Sequence, residues 1–257
     1  NGSARSITLG TDTDMQPDFV WIKRRNSARN HALLDSVRGG SKQLLSNTTA
    51  VEGTDVQLIT AFDSDGFSLG TSNDCNSSSD TFVAWCWKAG TAFSNDASGT
   101  SIGNTDSSGS ASSTAGFSIC SYTGACSSLD ITVKHGLGVI PAVMITKNLE
   151  DANSGPVYHA ANTAAPETDF LELDTTDATA DQGEVWLDTA PTSAIFTAGD
   201  FSGSNRSGDD FISYFWNEVQ GFSKFSSYTG NGNADGAFVY TGFRPAWVVI
   251  KKTSDTG

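Results

Sequence analysis

Proline, histidine and glutamate are scarce in this chain of 257 residues, which has six prolines, three histidines and only six glutamates among its 29 acidic residues. Aspartate favours turns and helix caps, whereas glutamate favours helix interiors, so the excess of aspartate argues against long helices. Clusters of Ser, Thr, Gly and Asn recur throughout, and the 26 glycines mark many turns. The composition therefore predicts an all-β protein with short strands.

Long apolar runs and positive charge are scarce as well. No apolar run is long enough to cross a bilayer, no signal peptide is recognisable, and 15 basic residues against 29 acidic ones give a net charge of −14. The densest basic cluster is Lys23-Arg24-Arg25 with Arg29, and one short run of this kind is typical of a solvated strand end. We therefore expect neither nucleic-acid binding nor membrane insertion.

Sequence motifs for catalysis are also missing. The histidines His31, His135 and His159 stand in no HxxxH or HExxH spacing, and no GxSxG, P-loop or dinucleotide-binding motif is present. Each histidine is expected to have a structural or surface role rather than that of a general base. We therefore expect a protein that is not an enzyme and needs no cofactor.

Paired carboxylates are the remaining candidates for chemistry. The i,i+2 pairs Asp63/Asp65 and Glu172/Asp174 could serve a glycosidase, which needs two carboxyl groups facing one sugar. Asp12-Thr-Asp14 and Asp63-Ser-Asp65-Gly66 could instead hold calcium, although the later ligands of an EF-hand are missing. Asx turns and a solvated sheet face account for these acids, so no catalytic or metal site is predicted.

Exposed tryptophans would suit a sugar ligand, because a flat ring packs against the C–H groups of a pyranose. Five of the six tryptophans lie in apolar runs and are expected in the core: Trp21, Trp85, Trp87, Trp216 and Trp247. Trp186, with Glu184 and Asp188 nearby, is the exception and could lie half-buried at a strand edge. The pattern identifies no particular ligand-binding residue.

Four cysteines, Cys75, Cys86, Cys120 and Cys126, lack the spacing of a zinc site. Cys120 and Cys126 flank a Tyr-Thr-Gly turn and could form a disulfide across it. Cys86 stands between two tryptophans in an apolar segment, which favours a buried free thiol. The sequence leaves the disulfide state open.

An internal repeat is the strongest signal in the sequence. The segments Phe67–Trp87 and Phe196–Trp216 align without a gap and are identical at seven of 21 positions. A second element, Pro followed six residues later by Lys, occurs at 17–23, 141–147 and 245–251, and each lysine is expected to end a strand in solvent. A third element, GF…YTG, occurs at 116–124 and again, one residue longer, at 221–230.

The order of these elements predicts the domain organisation. Residues 1–93 form unit 1, which lacks its leading GF…YTG strand, 116–220 form unit 2, and 221–257 begin a truncated unit 3. The intervening Ser/Gly-rich residues 94–115 are either a flexible linker or a strand at a rim. We interpret the chain as a fragment of a longer polypeptide, and the direct joint at Gln220-Gly221 favours a rigid, rod-like array.

Strand patterns place the repeat in β-sandwiches. Phe82–Lys88 carries apolar side chains on both faces, which predicts a central strand, and Phe211–Trp216 follows the same pattern. The turn Asp63-Ser-Asp65-Gly66 leads into a strand at 67–70, and only Arg29–Val37 suggests a short helix or a loop. The predicted fold class is all-β, as tandem, jelly-roll-like β-sandwich units.

These motifs together resemble a family found in marine bacteriophages, described as tail fibre-like or uncharacterised. The resemblance spans nearly the whole chain except residues 94–115. Motifs from all three units carry it: Pro17-Asp-Phe-Val-Trp-Ile-Lys, Leu34-Asp-Ser-Val-Arg-Gly, Phe82-Val-Ala-Trp-Cys-Trp-Lys-Ala, Ser121-Tyr-Thr-Gly, Val157-Tyr-His and Ser227-Tyr-Thr-Gly-Asn-Gly. One departure is Gly155-Pro156, since the family has an aromatic two residues before Val-Tyr-His.

The resemblance implies a non-catalytic segment of a tail fibre or related virion appendage, which works as a spacer, a receptor binder or both. Implied partners are other virion proteins or copies of the same chain in a homo-oligomer, and a host surface glycan. The implied location is the virion or the extracellular space. Two alternatives are a carbohydrate-binding module of an extracellular surface protein and, less favoured, a glycan-degrading enzyme.

Overall fold

The computed structural model describes residues 2–10, 13–126 and 130–254, and its regular elements are mostly short strands. The strands from the first half of the chain are β1 (Arg5–Thr8), β2 (Phe19–Arg24), β3 (Ala32–Asp35), β4 (Lys42–Leu45), β5 (Gly53–Thr54), β6 (Ile59–Asp63), β7 (Gly66–Leu69), β8 (Phe82–Trp87), β9 (Thr91–Asn95), β10 (Ser107–Ser112) and β11 (Phe117–Thr123). The remaining strands are β12 (Ile131–Lys134), β13 (Val143–Asn148), β14 (Pro156–His159), β15 (Asp169–Glu172), β16 (Ala180–Asp181), β17 (Ile195–Ala198) and β18 (Asp210–Trp216). Three four-residue helices complete the set: α1 (Asn73–Asn76), α2 (Ala97–Thr100) and α3 (Ser202–Asn205).

The strands form antiparallel sheets. One sheet has five strands in the order β5-β4-β3-β2-β8, and another has three strands in the order β1-β7-β6. An eight-stranded sheet runs β16-β15-β14-β13-β18-β11-β10-β9, and β12 pairs with β17. The fold is therefore mostly β with few helical residues, as the aspartate-rich composition predicts.

Three apolar clusters lie between these sheets. One cluster, with Val20 and Phe67, fills the space between the five-stranded and three-stranded sheets. A second, with Tyr122 and Phe196, lies between the eight-stranded sheet and the β12–β17 pair. The third, which we call the shared core, joins the five-stranded sheet to the eight-stranded sheet and includes Phe19, Trp87 and Trp216. Alternate side chains of one strand can fill two clusters because they point to opposite faces of its sheet.

The repeated sequence elements occupy matching places in the two strand sets, β1–β8 and β9–β18. Strands β2 and β13 each lie between a hairpin partner, β3 or β14, and the last strand of their set, β8 or β18. Strand β7 pairs with β1 as β17 pairs with β12. The second set has three further strands, β9–β11, beside β18.

Several residues that are identical between the repeats make matching contacts. The side-chain amides of Asn76 and Asn205 donate to main-chain carbonyls near the end of the preceding strand, those of Gly70 and Ala198. Asp80 forms an ion pair with Arg24 at the end of β2, and Asp209 accepts from Asn148 at the end of β13. The identities therefore preserve the polar contacts that fix the helical turn and the final strand.

Equivalent faces of the two strand sets meet in the shared core. The repeat aligns Trp87 with Trp216, and their rings lie 6.0 Å apart in an edge-to-face arrangement. Phe19 contacts Tyr214 at 4.5 Å between ring centroids, and Phe117 packs on Trp216 at 5.1 Å. Edge-to-face and offset pairs of this kind add to the stabilisation from burial alone. The two sets are thus joined by an aromatic core rather than by a flexible linker.

Of two local predictions, one is wrong and the other is confirmed. The segment Arg29–Val37 contains strand β3 rather than a short helix or a loop, because Ala32, Leu33 and Leu34 are buried on both faces of the sheet. The turn Asp63-Ser-Asp65-Gly66 joins β6 to β7 as predicted. Gly66 has φ +134°, and a Cβ atom there would lie 1.9 Å from the carbonyl oxygen of Ile7.

Residues 94–115, interpreted as a linker or a rim strand, contain the end of β9, helix α2 and strand β10. Strand β9 is one of the two outer strands of the eight-stranded sheet, and β10 pairs with β9 and β11. Gly109 permits this pairing, since a Cβ atom there would lie 1.9 Å from the carbonyl oxygen of Ile119. The segment thus forms the rim of the sheet.

The prediction that Phe82–Lys88 is a central strand is wrong. Its side-chain faces alternate as predicted, with Trp85 and Trp87 toward the shared core and Phe82 and Ala84 toward the three-stranded sheet. Strand β8 nevertheless lies at the edge of the five-stranded sheet, paired only with β2 among the described residues. Its counterpart β18 is central because β11 covers its second edge.

The described residues from 221 onward contain no named strand. Trp247 inserts against Trp21, Trp85 and Trp87 at the border of the shared core, with ring centroids 5.2–5.9 Å apart. Large apolar side chains elsewhere in the segment are exposed, including Phe222, Phe238 and Tyr240.

Candidate functional site

A buried polar cluster crosses the boundary between the two strand sets. Asp35 at the end of β3 is fully buried and accepts hydrogen bonds from the Arg38 guanidinium and the Tyr214 hydroxyl, at 2.7 and 2.8 Å. Arg38 also bonds to Glu52 at 3.1 Å and to the Tyr214 oxygen at 3.1 Å. Buried charges need such partners because leaving one unpaired is costly. We call Asp35, Arg38, Glu52 and Tyr214 the interface cluster.

Electrostatics explains why the interface cluster holds its charges. Burial works against the charged form of Arg38, but Asp35, Tyr214 and Glu52 together raise its pKa above the ordinary value. Burial likewise raises the pKa of Tyr214, which stays protonated and donates to Asp35. Arg38 therefore stays charged and Tyr214 stays neutral near neutral pH. Sequence reasoning missed it, although Leu34-Asp-Ser-Val-Arg-Gly places an acid and a base three residues apart beside an apolar strand.

The three histidines are engaged in local structure. His31 accepts a bond from the Trp21 indole at 3.1 Å, and His159 accepts from the Ala161 amide at 3.1 Å. His135 is fully buried, accepts from the Leu137 amide at 3.2 Å and lies 3.1 Å from the Thr192 carbonyl. Burial lowers all three pKa values, that of His135 to about 4. Each histidine thus bonds to a different set of neighbours within the described structure.

The repeated lysines do not all end in solvent. Lys147 is 3% exposed, and its ammonium donates to the carbonyls of Thr48 and Asn153 at 3.1 and 3.3 Å. Burial lowers its pKa, while Asp174 and Glu172 oppose that effect. The prediction of a solvated strand end is therefore wrong for Lys147, because the loop that precedes β5 covers it.

The remaining repeated lysines, Lys23 and Lys251, also have hydrogen-bond partners. Lys23 donates to the carbonyl oxygen of Arg29. Lys251 donates to the Thr175 carbonyl at 2.9 Å and so ties the C-terminal segment to the second strand set. Both lysines therefore bind main-chain carbonyls.

The two acid pairs differ in their contacts. Asp63 accepts from the Ser68 hydroxyl at 2.7 Å, and Asp65 accepts from the Met15 amide at 3.4 Å. Both carboxylate oxygens of Asp174 are buried without a hydrogen-bond partner in the described part of the chain. Asp12, a calcium candidate with Asp14, lies outside the described residues. No group of three or more potential metal ligands occurs within the described ranges.

The tryptophans provide no exposed platform for a sugar. Trp21 and Trp216 are buried in the shared core, with Trp85, Trp87 and Trp247 packed against it. Trp186, considered for a half-buried strand edge, is 1% exposed and donates to the Asp169 carbonyl. Its burial against Tyr158 removes it as a surface contact.

All four cysteines, each within the described residues, are free thiols. Burial raises the pKa of Cys75, Cys86 and Cys120 to about 12, and burial with Asp200 raises that of Cys126 to about 11. The disulfide considered between Cys120 and Cys126 is not formed. A high thiol pKa leaves little thiolate at neutral pH, which disfavours a nucleophilic role.

The basic cluster is used in local contacts. Arg24 forms an ion pair with Asp80 at 3.1 Å and lies over the Phe82 ring. Arg29 pairs with Asp74 at 3.4 Å, with both side chains exposed by 40% or more. Two of the arginines in the cluster thus have acidic partners within the described residues.

A polar cleft lies at the rim formed by β9, β10 and β11. It has a volume of about 320 Å³ and is lined by residues 94–96, 106–108 and 121–123. Asp96 caps helix α2 through the Ser98 hydroxyl and Gly99 amide, and these bonds lower its pKa. The lining offers hydroxyl, amide and carboxylate groups, which are the groups that hydrogen-bond to sugars and other polyols.

No described helix is both long and apolar enough to span a membrane.

Comparison with known proteins identifies a family whose description assigns no function. No curated protein sequence and no solved structure matches the chain. A family model described as a domain of unknown function, DUF7483, matches residues 1–257, and this description mentions neither a phage nor an activity. The chain therefore belongs to the DUF7483 family.

Proposed function

We propose that the chain is a pair of tandem β-sandwich units that serves as a structural segment of an extended extracellular appendage, such as a phage tail fibre. The observation that carries this proposal is the shared core, in which equivalent aromatic faces of the two strand sets bury each other. A spacer must transmit position along its length, and a continuous aromatic core resists hinge motion. The likeness of the repeat motifs to tail fibre-like proteins supplies the biological setting.

The interface cluster supports the same role. Tyr214 from β18 bonds to Asp35 and Arg38 from the other strand set, so relative rotation of the two sets would break buried charge-assisted bonds. The three histidines hydrogen-bond to neighbouring groups, and burial raises the pKa of the thiols. These observations support a non-catalytic role, and the proposed appendage setting implies virion proteins or copies of the same chain as partners.

Immunogold labelling tests the appendage role. Antibodies raised against the folded chain should decorate fibres on particles purified from the organism that encodes it, and denatured chain should compete poorly. Label confined to soluble protein, with intact particles bare, would reject the proposal. A parallel mass-spectrometric comparison of particles and supernatant would detect an appendage whose epitopes are hidden.

The polar cleft favours carbohydrate binding as a second function, within an appendage or in another extracellular protein. A glycan array with the folded chain, with and without a chelator, tests this possibility. Binding should be lost when Ser108 and Ser121 on the cleft wall are both changed to valine, and kept when Ser6 and Ser68 on the β1–β7 pair are changed instead. No binding by folded protein would leave the cleft without this role.

A further inference from the structure

Strand β8 has the sequence of a central strand but an open edge. In an antiparallel pair, every second residue points its amide at the partner strand. The main-chain bond from the Arg25 amide to the Thr81 carbonyl, at 2.8 Å, shows which residues of the β2–β8 pair do so. By this alternation Val83, Trp85 and Trp87 turn their amides toward β2, whereas Phe82, Ala84 and Cys86 turn theirs away. No main-chain partner for these three occurs within the described residues. An apolar edge of this kind is a template for another strand.

The equivalent edge in the second strand set, that of β18, is covered by a strand and shows how the edge of β8 could be paired. In the second strand set β11 pairs along β18, from Phe117 opposite Trp216 to Thr123 opposite Asp210. Phe117 packs on Trp216 at 5.1 Å, and at the other end Tyr122 stacks on Phe211 at 5.3 Å. Trp87 and Phe82 are the repeat counterparts of Trp216 and Phe211. The open edge therefore presents the same two aromatic contacts.

A second GF…YTG segment is present and is not used as a strand. Residues 221–230 repeat Gly116–Gly124 with one extra residue, and Phe222 and Tyr228 are 63% and 50% exposed. A β-bulge accommodates one extra residue in an antiparallel pair. In its own chain the segment begins in a turn, with the Phe222 and Ser223 amides bonded to the Val219 carbonyl, and Phe225 lies against His159. These contacts hold it on the second strand set rather than along β8.

We propose that the edge of β8 is a strand-acceptor site filled by residues 222–229 of a second copy of this chain. The donated strand runs antiparallel to β8, with Phe222 beside Trp87 and Tyr228 beside Phe82. The inference deepens the proposed appendage role and rests on it for its setting. Because donor and acceptor are different surfaces, the contact is head-to-tail and extends into a chain of copies.

Donation must release several contacts of the segment with its own chain: the Phe225 amide bond to Glu218 at 3.0 Å, the Ser223 hydroxyl bond to the Asn217 carbonyl at 3.1 Å, and the packing of Phe225 against the shared core. The Lys224–Glu218 ion pair has side chains 38% and 37% exposed, and such surface pairs contribute little. The residues from Ser226 to Gly230 are exposed and lie outside any strand. Donation replaces an irregular, exposed segment with a paired strand in which both terminal aromatics are covered.

Two proline substitutions in the donor give a matched test. Counted back from Tyr-Thr-Gly, Ser226 corresponds to Cys120, whose amide faces β18, and Ser227 corresponds to Ser121, whose amide faces away. Ser226→Pro should abolish donation, because proline has no N–H to give, while Ser227→Pro should weaken it less. On the acceptor side, Ala84→Pro should block the edge of β8. It should leave the hydrogen bonds between β2 and β8 intact, because the Ala84 amide faces away from β2. Circular dichroism and melting curves verify that each variant folds.

The experiment measures mass by light scattering and amide exchange by NMR over a concentration series of the full chain. The expected result is a rise in mass above 26.9 kDa with slower exchange at Phe82, Ala84 and Cys86. An equimolar mixture of Ser226→Pro and Ala84→Pro chains should stop at twice that mass, since it retains one donor and one acceptor. If Ala84→Pro fails to fold, the Ser226→Pro and Ser227→Pro pair still decides the result.

Three outcomes would overturn the proposal. Folded protein with no protection of these amides at any concentration would leave the edge unfilled. Protection without a rise in mass would mean that the chain's own segment fills the edge. A rise in mass that survives Ser226→Pro would place self-association elsewhere. None of these outcomes bears on immunogold labelling of particles, so failure here and failure of the appendage role are separate results.

Discussion

Replacing Arg38 with leucine should destabilise the chain more than any other change in the interface cluster. Asp35 is fully buried, and without the guanidinium it keeps only the Tyr214 hydroxyl and two main-chain amides as partners. Removing one member of a buried ion pair costs about 3–5 kcal/mol, since the remaining charge loses its compensation. For a chain of this size that loss lowers Tm by roughly 6–20 °C.

Two further variants separate the contributions within the cluster. Tyr214→Phe keeps the ring contact with Phe19 and removes only the hydroxyl, so its expected cost is about 1–3 kcal/mol. The double variant Asp35→Leu with Arg38→Leu removes both charges and should recover much of the loss seen with Arg38→Leu alone, because apolar replacements of buried pairs are often tolerated. Glu52 keeps Lys42 as a partner at 2.8 Å in that double variant.

Urea and thermal unfolding followed by tryptophan fluorescence and calorimetry give these free energies. Both strand sets contribute tryptophans to the shared core, so a single calorimetric transition is expected for the parent chain. If the free energy of unfolding of the Arg38→Leu chain lies within about 1 kcal/mol of the parent value, the view that the cluster is buried and fully paired is refuted. The same view is refuted if the double variant, Asp35→Leu with Arg38→Leu, is less stable than Arg38→Leu alone.

Three other changes test the core, the buried histidine and the rim. Trp87→Ala should cost about 3–5 kcal/mol in urea unfolding, because its ring packs against Phe19 and Trp216 and the truncation leaves a cavity beside them. His135→Asn should reduce the pH dependence of stability: burial lowers the folded pKa from 6.5 to about 4, so the stability is present above pH 6.5 and is lost as the pH falls toward 4. The parent should lose about 3 kcal/mol more than the variant over that window in unfolding titrations, and equal losses would contradict the burial of the neutral ring. Gly109→Ala should release β9 and β10 from the sheet, measured as faster amide exchange there with the shared core still protected.

The all-β class could be predicted because it depends on local chemistry. Aspartate in turns, glycine at positions such as Gly66 and apolar alternation along Phe82–Trp87 act within a few residues. The internal repeat was equally accessible, and its elements occupy matching positions in the two strand sets.

Burial and pairing partners were less accessible. Lys147 was expected in solvent because a lysine after an apolar run is normally exposed, yet Thr48 from the other strand set covers it. The Asp35–Tyr214 bond joins residues 179 positions apart, and no pattern around either residue indicates the other. The segment Arg29–Val37 was interpreted as a short helix or a loop; its consecutive apolar residues Ala32, Leu33 and Leu34 do not alternate with polar ones, and burial on both faces of the sheet explains the strand.

The sequence by itself determined the all-β class, the turn at 63–66 and which segments repeat, because these follow from the backbone preferences and polarity of neighbouring residues. Only the tertiary structure decided that equivalent faces of the two strand sets meet, that Arg38 is paired within that contact, and that β8 lies at an edge. Strand order depends on which distant segments are available to pair. Identical central-strand patterns in β8 and β18 therefore reach different positions, since β11 is available to cover only β18.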